Sequence, residues 1–131
     1  MNKNIADDWA TLLESGDFTQ APQRLKRDSG YCCLGVLCEL YKHRTGRGEW
    51  VEAPQSNNHY IKGVKAFKLP SEDGFTAELP QEVAKWAGIR TASGSAKGVS
   101  LTSLNDQGFN GGIKTSFKEI AQFIRENVED L

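Results

Sequence analysis

The sequence predicts an α+β fold in which about four helices pack on a small antiparallel sheet. Apolar residues recur at helical spacing in several segments, and an aromatic and β-branched stretch lies between them. Glycines and prolines separate these segments. The chain has 131 residues, of which 38% are hydrophobic and 25% charged. This length and composition predict a single globular domain, residues 1–131, with one core that needs no disulfide.

Two helices are predicted in the first third of the chain. The first carries Asp7 and Asp8 in its first turn and ends at Gly16. Its apolar face comprises Ile5, Trp9, Leu12 and Leu13. The second covers residues 31–41, the most apolar stretch of the chain, and is expected to be the buried central helix. Its apolar stripe comprises Cys33, Val36, Leu37, Leu40 and Tyr41.

Two more helices are predicted later in the chain. Pro80 is expected at the first helical position, where a missing amide hydrogen costs nothing, and Gly88 ends that helix. Ser116 and Glu119 have the spacing of a capping box, and apolar residues follow them at helical spacing. The second half of the chain therefore contributes a short and a long helix to the predicted core.

The segments between these helices are predicted to be strands and loops. Residues 49–52 are expected to form a short strand, and residues 59–69 a longer one with Gly63 as a bulge. Residues 17–30 are typical of a turn or short helix rather than a strand. The small polar residues 91–98 are expected to form a mobile linker.

The charge pattern limits the partners that the protein is expected to bind. The chain carries 16 Lys+Arg and 17 Asp+Glu, so it lacks the long basic stripe that duplex nucleic acid requires. Its cations concentrate in residues 21–48, where they would suit an anion or an acidic partner. No apolar run long enough for a membrane span and no signal peptide is present, so we expect a cytoplasmic protein with reduced thiols.

The cysteines allow a catalytic interpretation and a structural one. Cys32 and Cys33 fall at the start of a predicted helix, where the helix dipole would stabilise a thiolate. A catalytic set of Cys33, His59 and Asp106 is the alternative that follows. The favoured interpretation is packing, because cysteine is commonly buried and Gly35 would let another backbone come close.

Metal and phosphate sites are not predicted. Cys33, Cys38 and His43 are the candidate zinc ligands, but ligands five apart on a helix diverge and no second ligand pair is present. The loop of residues 93–98 lacks the spacing of a phosphate-binding loop. Asn105 and Asp106 end an apolar segment and precede several glycines, where they would cap a turn or contact a ligand. We predict no cofactor.

The resemblance of this chain to known proteins rests on four motifs that follow one another in order along the sequence. They are Gly30-Tyr31-Cys32-Cys33-Leu34-Gly35-Val36-Leu37-Cys38, Leu79-Pro80 with Trp86 and Gly88, Leu101-x-x-Leu104-Asn105-Asp106, and Ser116-Phe117-x-x-Ile120-Ala121. The chain resembles small uncharacterised phage and prophage proteins, and is more loosely similar to an uncharacterised small-protein family of actinobacteria. The resemblance implies a phage origin and action in the host cytoplasm. It implies no activity, and the matched positions Cys33, Gly35, Asn105 and Asp106 carry no assigned role.

The leading hypothesis is a non-enzymatic binding protein that acts on host physiology or host defence. It would bind a host protein or sequester a small anionic, nucleotide-like ligand. The predicted ligand contacts are Arg24, Arg27, Lys62, Lys65 and Arg90 for the anion, Trp50 and Tyr60 for stacking, and Asn105 and Asp106. Because such sites often lie between subunits, the hypothesis includes a homo-oligomer. The alternatives are a cysteine-dependent hydrolase or transferase and a virion or structural component.

Overall fold

The computed structural model describes residues 1–54, 60–107 and 115–131. Its helices are α1 (Lys3–Glu14), α2 (Cys33–Thr45), α3 (Gln81–Ala87), α4 (Leu101–Gln107) and α5 (Phe117–Glu126). Its strands are β1 (Lys26–Arg27), β2 (Gly30–Tyr31), β3 (Glu49–Pro54), β4 (Tyr60–Leu69), β5 (Glu72–Phe75), β6 (Ser95–Ala96) and β7 (Val99–Ser100). The predicted α+β class is confirmed, and the main sheet is antiparallel.

The main sheet is built around β4. Its strands lie in the order β2-β1-β4-β3, and β5 also pairs with β4. The register of β3 against β4 shifts between Glu52 and Pro54, opposite the part of β4 that contains Gly63. Gly63 has a φ of 74°, which favours glycine, so the predicted irregularity lies where the sequence indicated it.

Helix α2 is the centre of the core, as its apolar sequence predicts. Every residue from Cys33 to Cys38 is buried, and Gly46 ends the helix in the left-handed conformation. Trp9 of α1 is fully buried and donates its indole N–H to the Cys33 carbonyl at 2.9 Å. A Cβ atom on Gly35 would lie 1.8 Å from the Leu25 carbonyl oxygen. The close backbone approach expected at Gly35 is therefore present.

Two segments expected to lack strands form hairpins. Within residues 17–30, β1 pairs with β2 and with β4, so the expectation of a turn or short helix was wrong. Within residues 91–98, β6 pairs with β7 through a two-residue turn in which Lys97 and Gly98 have φ values of 53° and 74°. Two positive φ values match the twist of a tight hairpin. Strands of two residues are too short to produce a periodic pattern.

Three further details of the helices differ from expectation. Residues 101–106 belong to α4 and do not end in a turn, and the Ser100 hydroxyl accepts the Ser103 N–H at 3.2 Å at its start. Pro80 is the N-cap of α3 and not its first residue. Because α1 begins at Lys3, Asp7 and Asp8 lie beyond its first turn. The capping box of Ser116 and Glu119 is present at α5.

No helix in the described ranges combines the length and apolarity that crossing a membrane would need.

A carboxylate joins α2 to α3. Glu82 accepts hydrogen bonds from Arg47 Nε at 2.8 Å and Nη2 at 2.9 Å, from the Ser71 hydroxyl at 2.9 Å, and from the Tyr41 hydroxyl. The bonds from Arg47, followed by the one from Tyr41, lower the pKa of Glu82 from 4.5 to about 2. The folded state therefore favours the ionised carboxylate more strongly than the unfolded chain does.

We expect Glu82→Gln to flatten the acid dependence of stability. A lowered folded-state pKa stabilises the protein fully above the unfolded pKa of 4.5, and this contribution is lost as the pH falls toward 2. Urea-unfolding midpoints measured across this range should fall less steeply in the variant than in the wild type. Glu129→Gln, at an exposed site, is the control and should retain the wild-type slope. Equal slopes in Glu82→Gln and wild type would contradict the conclusion that folding lowers the pKa of Glu82.

Candidate functional site

Two of the motifs of the resemblance, around Cys33 and around Asn105, meet at the Asn105 side chain. This side chain is fully buried on α4. Its Oδ1 accepts hydrogen bonds from the Cys33 backbone N–H at 3.2 Å and from Gln20 Nε2 at 3.0 Å. Its Nδ2 donates to the Ala21 carbonyl at 2.9 Å and to Asp106 Oδ1 at 3.1 Å. Asn105 thus joins α4, the start of α2 and the connecting segment, which we define as residues 17–24.

Asp106 also bonds to the connecting segment. Its Oδ1 accepts the backbone N–H of Gln23 at 2.8 Å, and Gln23 has a φ of 68°, a conformation rare for residues other than glycine. Gln20 in turn donates to the Thr115 carbonyl at 2.8 Å. Asn105 and Asp106, which were predicted to contact a ligand, therefore anchor the connecting segment. Asp17 and Phe18 lie at the start of this segment.

The cysteine thiols are buried and protonated. Burial raises the pKa of the Cys32 thiol to about 11, and it raises the pKa of Cys33 and Cys38 well above the ordinary range. Cys33 Sγ donates to the Leu101 carbonyl at 3.6 Å. A nucleophilic cysteine needs the opposite shift and access to substrate.

The remaining members of the catalytic and zinc sets are not assembled around Cys33 in the part of the chain that the structure describes. His59 lies outside the described residues. The charge of Asp106 raises the Cys33 pKa further, which opposes thiolate formation. Among the described residues, no group of three or more His, Cys, Asp or Glu side chains is arranged to hold a metal ion.

The predicted anion-binding cations do not converge on one cavity. Lys62 is exposed on β4, and the other four bond to polar groups of the same chain. The pairs are Arg24 with the Thr76 hydroxyl, Arg27 with the Pro22 carbonyl, Lys65 with the Glu52 carboxylate, and Arg90 with Asp130. These bonds already occupy donors that an anionic ligand would need.

Trp50 belongs to a row of aromatic side chains, which we call the aromatic row: Phe18, Tyr31, Trp50 and Phe67. Successive ring centroids are 5.2, 6.0 and 4.8 Å apart. Phe18, Tyr31 and Trp50 are half-buried, whereas Phe67 is in the core. Lys26 Nζ lies 5.0 Å from the Tyr31 centroid and 5.4 Å from the Trp50 centroid. The predicted partner in stacking, Tyr60, begins β4, and its side chain lies outside the described part.

At its Phe18 end, the aromatic row reaches a cleft of about 840 Å³, which we call the α1–α2 cleft. Its volume is in the range of ligand-binding cavities. Leu12, Phe18 and Leu40 provide apolar surface inside it. The polar lining comprises Asp8, Thr11, Asp17, Glu39, Lys42, His43 and Arg44.

The charges around the α1–α2 cleft are mixed. Arg44 Nη2 and Asp8 Oδ2 form a salt bridge at 2.7 Å. Glu39 Oε2 accepts the Trp50 indole N–H at 2.8 Å, which fixes the carboxylate beside the aromatic row. Within the described ranges, Glu39, Asp17 and Lys42 form no salt bridge with any residue. The cleft therefore presents two carboxylates and one ammonium group that a partner can engage.

Sequence reasoning missed most of this cleft. Asp17 and Phe18 lie in a segment interpreted as a turn or short helix, and Glu39 lies within a helix interpreted as buried. The usable signal was the concentration of cations in residues 21–48, which includes Lys42 and Arg44. It favoured an anion or an acidic partner, because Asp8 and Asp17 of the cleft come from an earlier part of the chain.

Comparison with known families identifies the relatives of this chain. The family described as "Domain of unknown function (DUF8296)" matches residues 1–128. The chain belongs to this family. The predicted resemblance to an uncharacterised family is confirmed to that extent. Neither a curated protein nor a solved structure matches the chain. In this DUF8296 chain, any functional assignment therefore has to come from the geometry of the site.

We expect Asn105→Ala to destabilise this DUF8296 chain strongly. The substitution leaves the Cys33 N–H and the Ala21 carbonyl without their buried partner. Unsatisfied buried polar groups and a new cavity together cost about 3 kcal/mol. Urea denaturation should measure this loss in the free energy of unfolding. Asn4→Ala, at an exposed site on α1, is the matched control and should change stability by about 0.5 kcal/mol or less. Similar losses in both variants would refute the anchoring role.

We expect the three cysteine thiols to be inert in the native protein. Buried thiols of raised pKa expose almost no thiolate at pH 8. Dithiobis-nitrobenzoate should label none of them before unfolding and all three in concentrated urea. Rapid labelling of a native thiol, at the rate of free cysteine, would contradict this burial and would favour the catalytic alternative.

Proposed function

We propose that this chain is a non-enzymatic binding protein that binds another protein in the α1–α2 cleft. The observation that carries the proposal is the combination of apolar surface and mixed charge in one cleft of about 840 Å³. Specific protein interfaces have this anatomy, with an apolar centre and a polar rim. Phe18, Tyr31 and Trp50 of the aromatic row are half-buried and extend the surface, and aromatic residues are enriched where proteins bind one another.

The charge balance favours a protein over a small anionic ligand. Asp8, Asp17 and Glu39 line the cleft beside Lys42 and Arg44, and Asp8 already neutralises Arg44. A nucleotide-like anion would meet two carboxylates that lack a salt bridge within the described part of the chain. A protein segment can present both signs of charge and so complement Glu39, Asp17 and Lys42 together.

The cysteine chemistry supports binding over catalysis. A hydrolase or transferase built on Cys33 would need an accessible thiolate, and the Cys33 thiol is buried with a raised pKa. No observation favours a virion or structural component, and self-assembly is an outcome that the experiment below distinguishes.

The resemblance to phage and prophage proteins supplies the biological context of the proposal. On that basis the partner is a host protein in the bacterial cytoplasm. Binding it would alter host physiology or a host defence system. This context rests on the motifs around Cys33 and Asn105, whereas the binding surface is argued from the cleft alone.

Site-specific photo-crosslinking in bacterial cells tests the proposal. A benzophenone amino acid replaces His43, which is exposed in the cleft, or Lys85, which is exposed on α3 and serves as the control. We expect a discrete adduct with another protein from position 43 and none from position 85. Adding Lys42→Glu should abolish the adduct, because it reverses the charge of an ammonium group in the cleft that forms no salt bridge within the described ranges.

Three results would overturn this proposal. Equal adducts at positions 43 and 85 would mean that the contacts are nonspecific. A covalent pair of two copies of this chain would identify a homo-oligomer interface instead. A thermal shift induced by nucleotides and lost in Lys42→Glu would assign the cleft to a small anionic ligand.

A further inference from the structure

The carboxylate of Glu39 is presented in a fixed position on the wall of the α1–α2 cleft. The Trp50 indole N–H bonds to Oε2 at 2.8 Å and restricts the orientation of the side chain. Glu39 is partly exposed, and no cation in the described ranges lies within salt-bridge distance of it. A negative charge held in place without a countercharge is suited to recognise a cationic group, because the side chain loses little further conformational entropy on binding.

The aromatic row beside Glu39 already holds one cation on its ring faces. Lys26 Nζ lies over both Tyr31 and Trp50. Phe18 continues the row into the cleft, with its ring edge-on to Tyr31 at a centroid distance of 5.2 Å. Asp17, adjacent to Phe18, adds a second carboxylate to the lining of the cleft. Aromatic faces and carboxylates together bind cations more strongly than either alone.

Building on the proposed function, we infer that the partner protein inserts an arginine side chain between Glu39 and Phe18. A guanidinium group is planar, so it bonds to a carboxylate through two parallel N–H groups and stacks on an aromatic ring. The ammonium group of lysine offers only a point charge. Leu12 and Leu40 accept an apolar neighbour of that arginine, and Lys42 accepts an acidic residue of the same segment.

This assignment also accounts for the other charges of the cleft. Arg44 is neutralised by Asp8 at 2.7 Å, so it does not compete for Glu39. Lys42 lies on the last turn of α2, where a cation complements the helix dipole, and it repels a second basic residue on that side. The carboxylates open to the arginine are therefore those of Glu39 and Asp17, which form no salt bridge within the described ranges.

Peptide selection followed by a double-mutant cycle tests the inference. Random peptides displayed on phage are selected against the full immobilised chain, synthesised, and measured by fluorescence anisotropy. We expect selected peptides to contain arginine next to an aliphatic residue. Glu39→Gln retains the oxygen that accepts the Trp50 N–H but removes the charge, and should weaken binding about tenfold. Glu129→Gln, exposed and distant in sequence, should leave the affinity unchanged.

The cycle identifies the partner of Glu39. Replacing the peptide arginine with glutamine should also weaken binding about tenfold, and the double change should cost little more than either single change. Asp17→Asn provides a second variant if Glu39→Gln lowers the melting temperature.

The outcomes separate this inference from the proposed function. Some selected peptides could depend on Lys42 and yet lack arginine, bind equally well with lysine in its place, or show additive changes in the cycle. Any of these results would overturn the inferred arginine contact and would leave binding in the cleft supported. If no selected peptide binds Lys42→Glu more weakly than the wild type, the proposed function itself is overturned.

Discussion

The buried amide of Asn105 is the interaction on which the candidate site depends. It satisfies backbone groups of α2 and of the connecting segment, and it bonds to the Gln20 side chain. Such a network in a low-dielectric interior permits few alternative arrangements, because every broken bond leaves a buried polar group without a partner. The connecting segment carries Asp17 and Phe18 at its start. Asn105 therefore holds in place the segment that contributes Asp17 and Phe18 to the α1–α2 cleft.

Gly35 provides the steric counterpart of this anchor. The Leu25 carbonyl approaches so closely that a Cβ atom on Gly35 would lie 1.8 Å from it. Leu25 directly follows the connecting segment, so the segment is bonded by Asn105 near its middle and packed against α2 at its end. Two motifs of the resemblance, those around Cys33 and around Asn105, thus act together in positioning one stretch of chain. Their role is compatible with a binding surface and needs no reactive thiol.

The sequence predicted those elements that carry their own local signal. Helix α2 has a continuous apolar run, α5 has the capping box of Ser116 and Glu119, and β4 is rich in aromatic and β-branched residues. The hairpin of β6 and β7 was missed because its geometry depends on distant contacts. Lys97 has a positive φ, and its N–H is held by the Asp130 carboxylate at 2.6 Å, a residue 33 positions away. No local pattern encodes such a contact.

The candidate site was harder to predict for the same reason, because the charges that line it come from segments that are distant along the chain. Along the chain, Lys42 and Arg44 belong to the cation-rich residues 21–48, which favour an anion or an acidic partner. In space, Arg44 pairs with Asp8, which lies 36 residues earlier, and Glu39 is held toward the cleft by Trp50. The electrostatic character of a cleft is set by the helices that border it, so packing α1 against α2 converts a basic segment into a surface of both charges. A partner must then match an ordered pattern of charges, which a protein segment does better than a small anion.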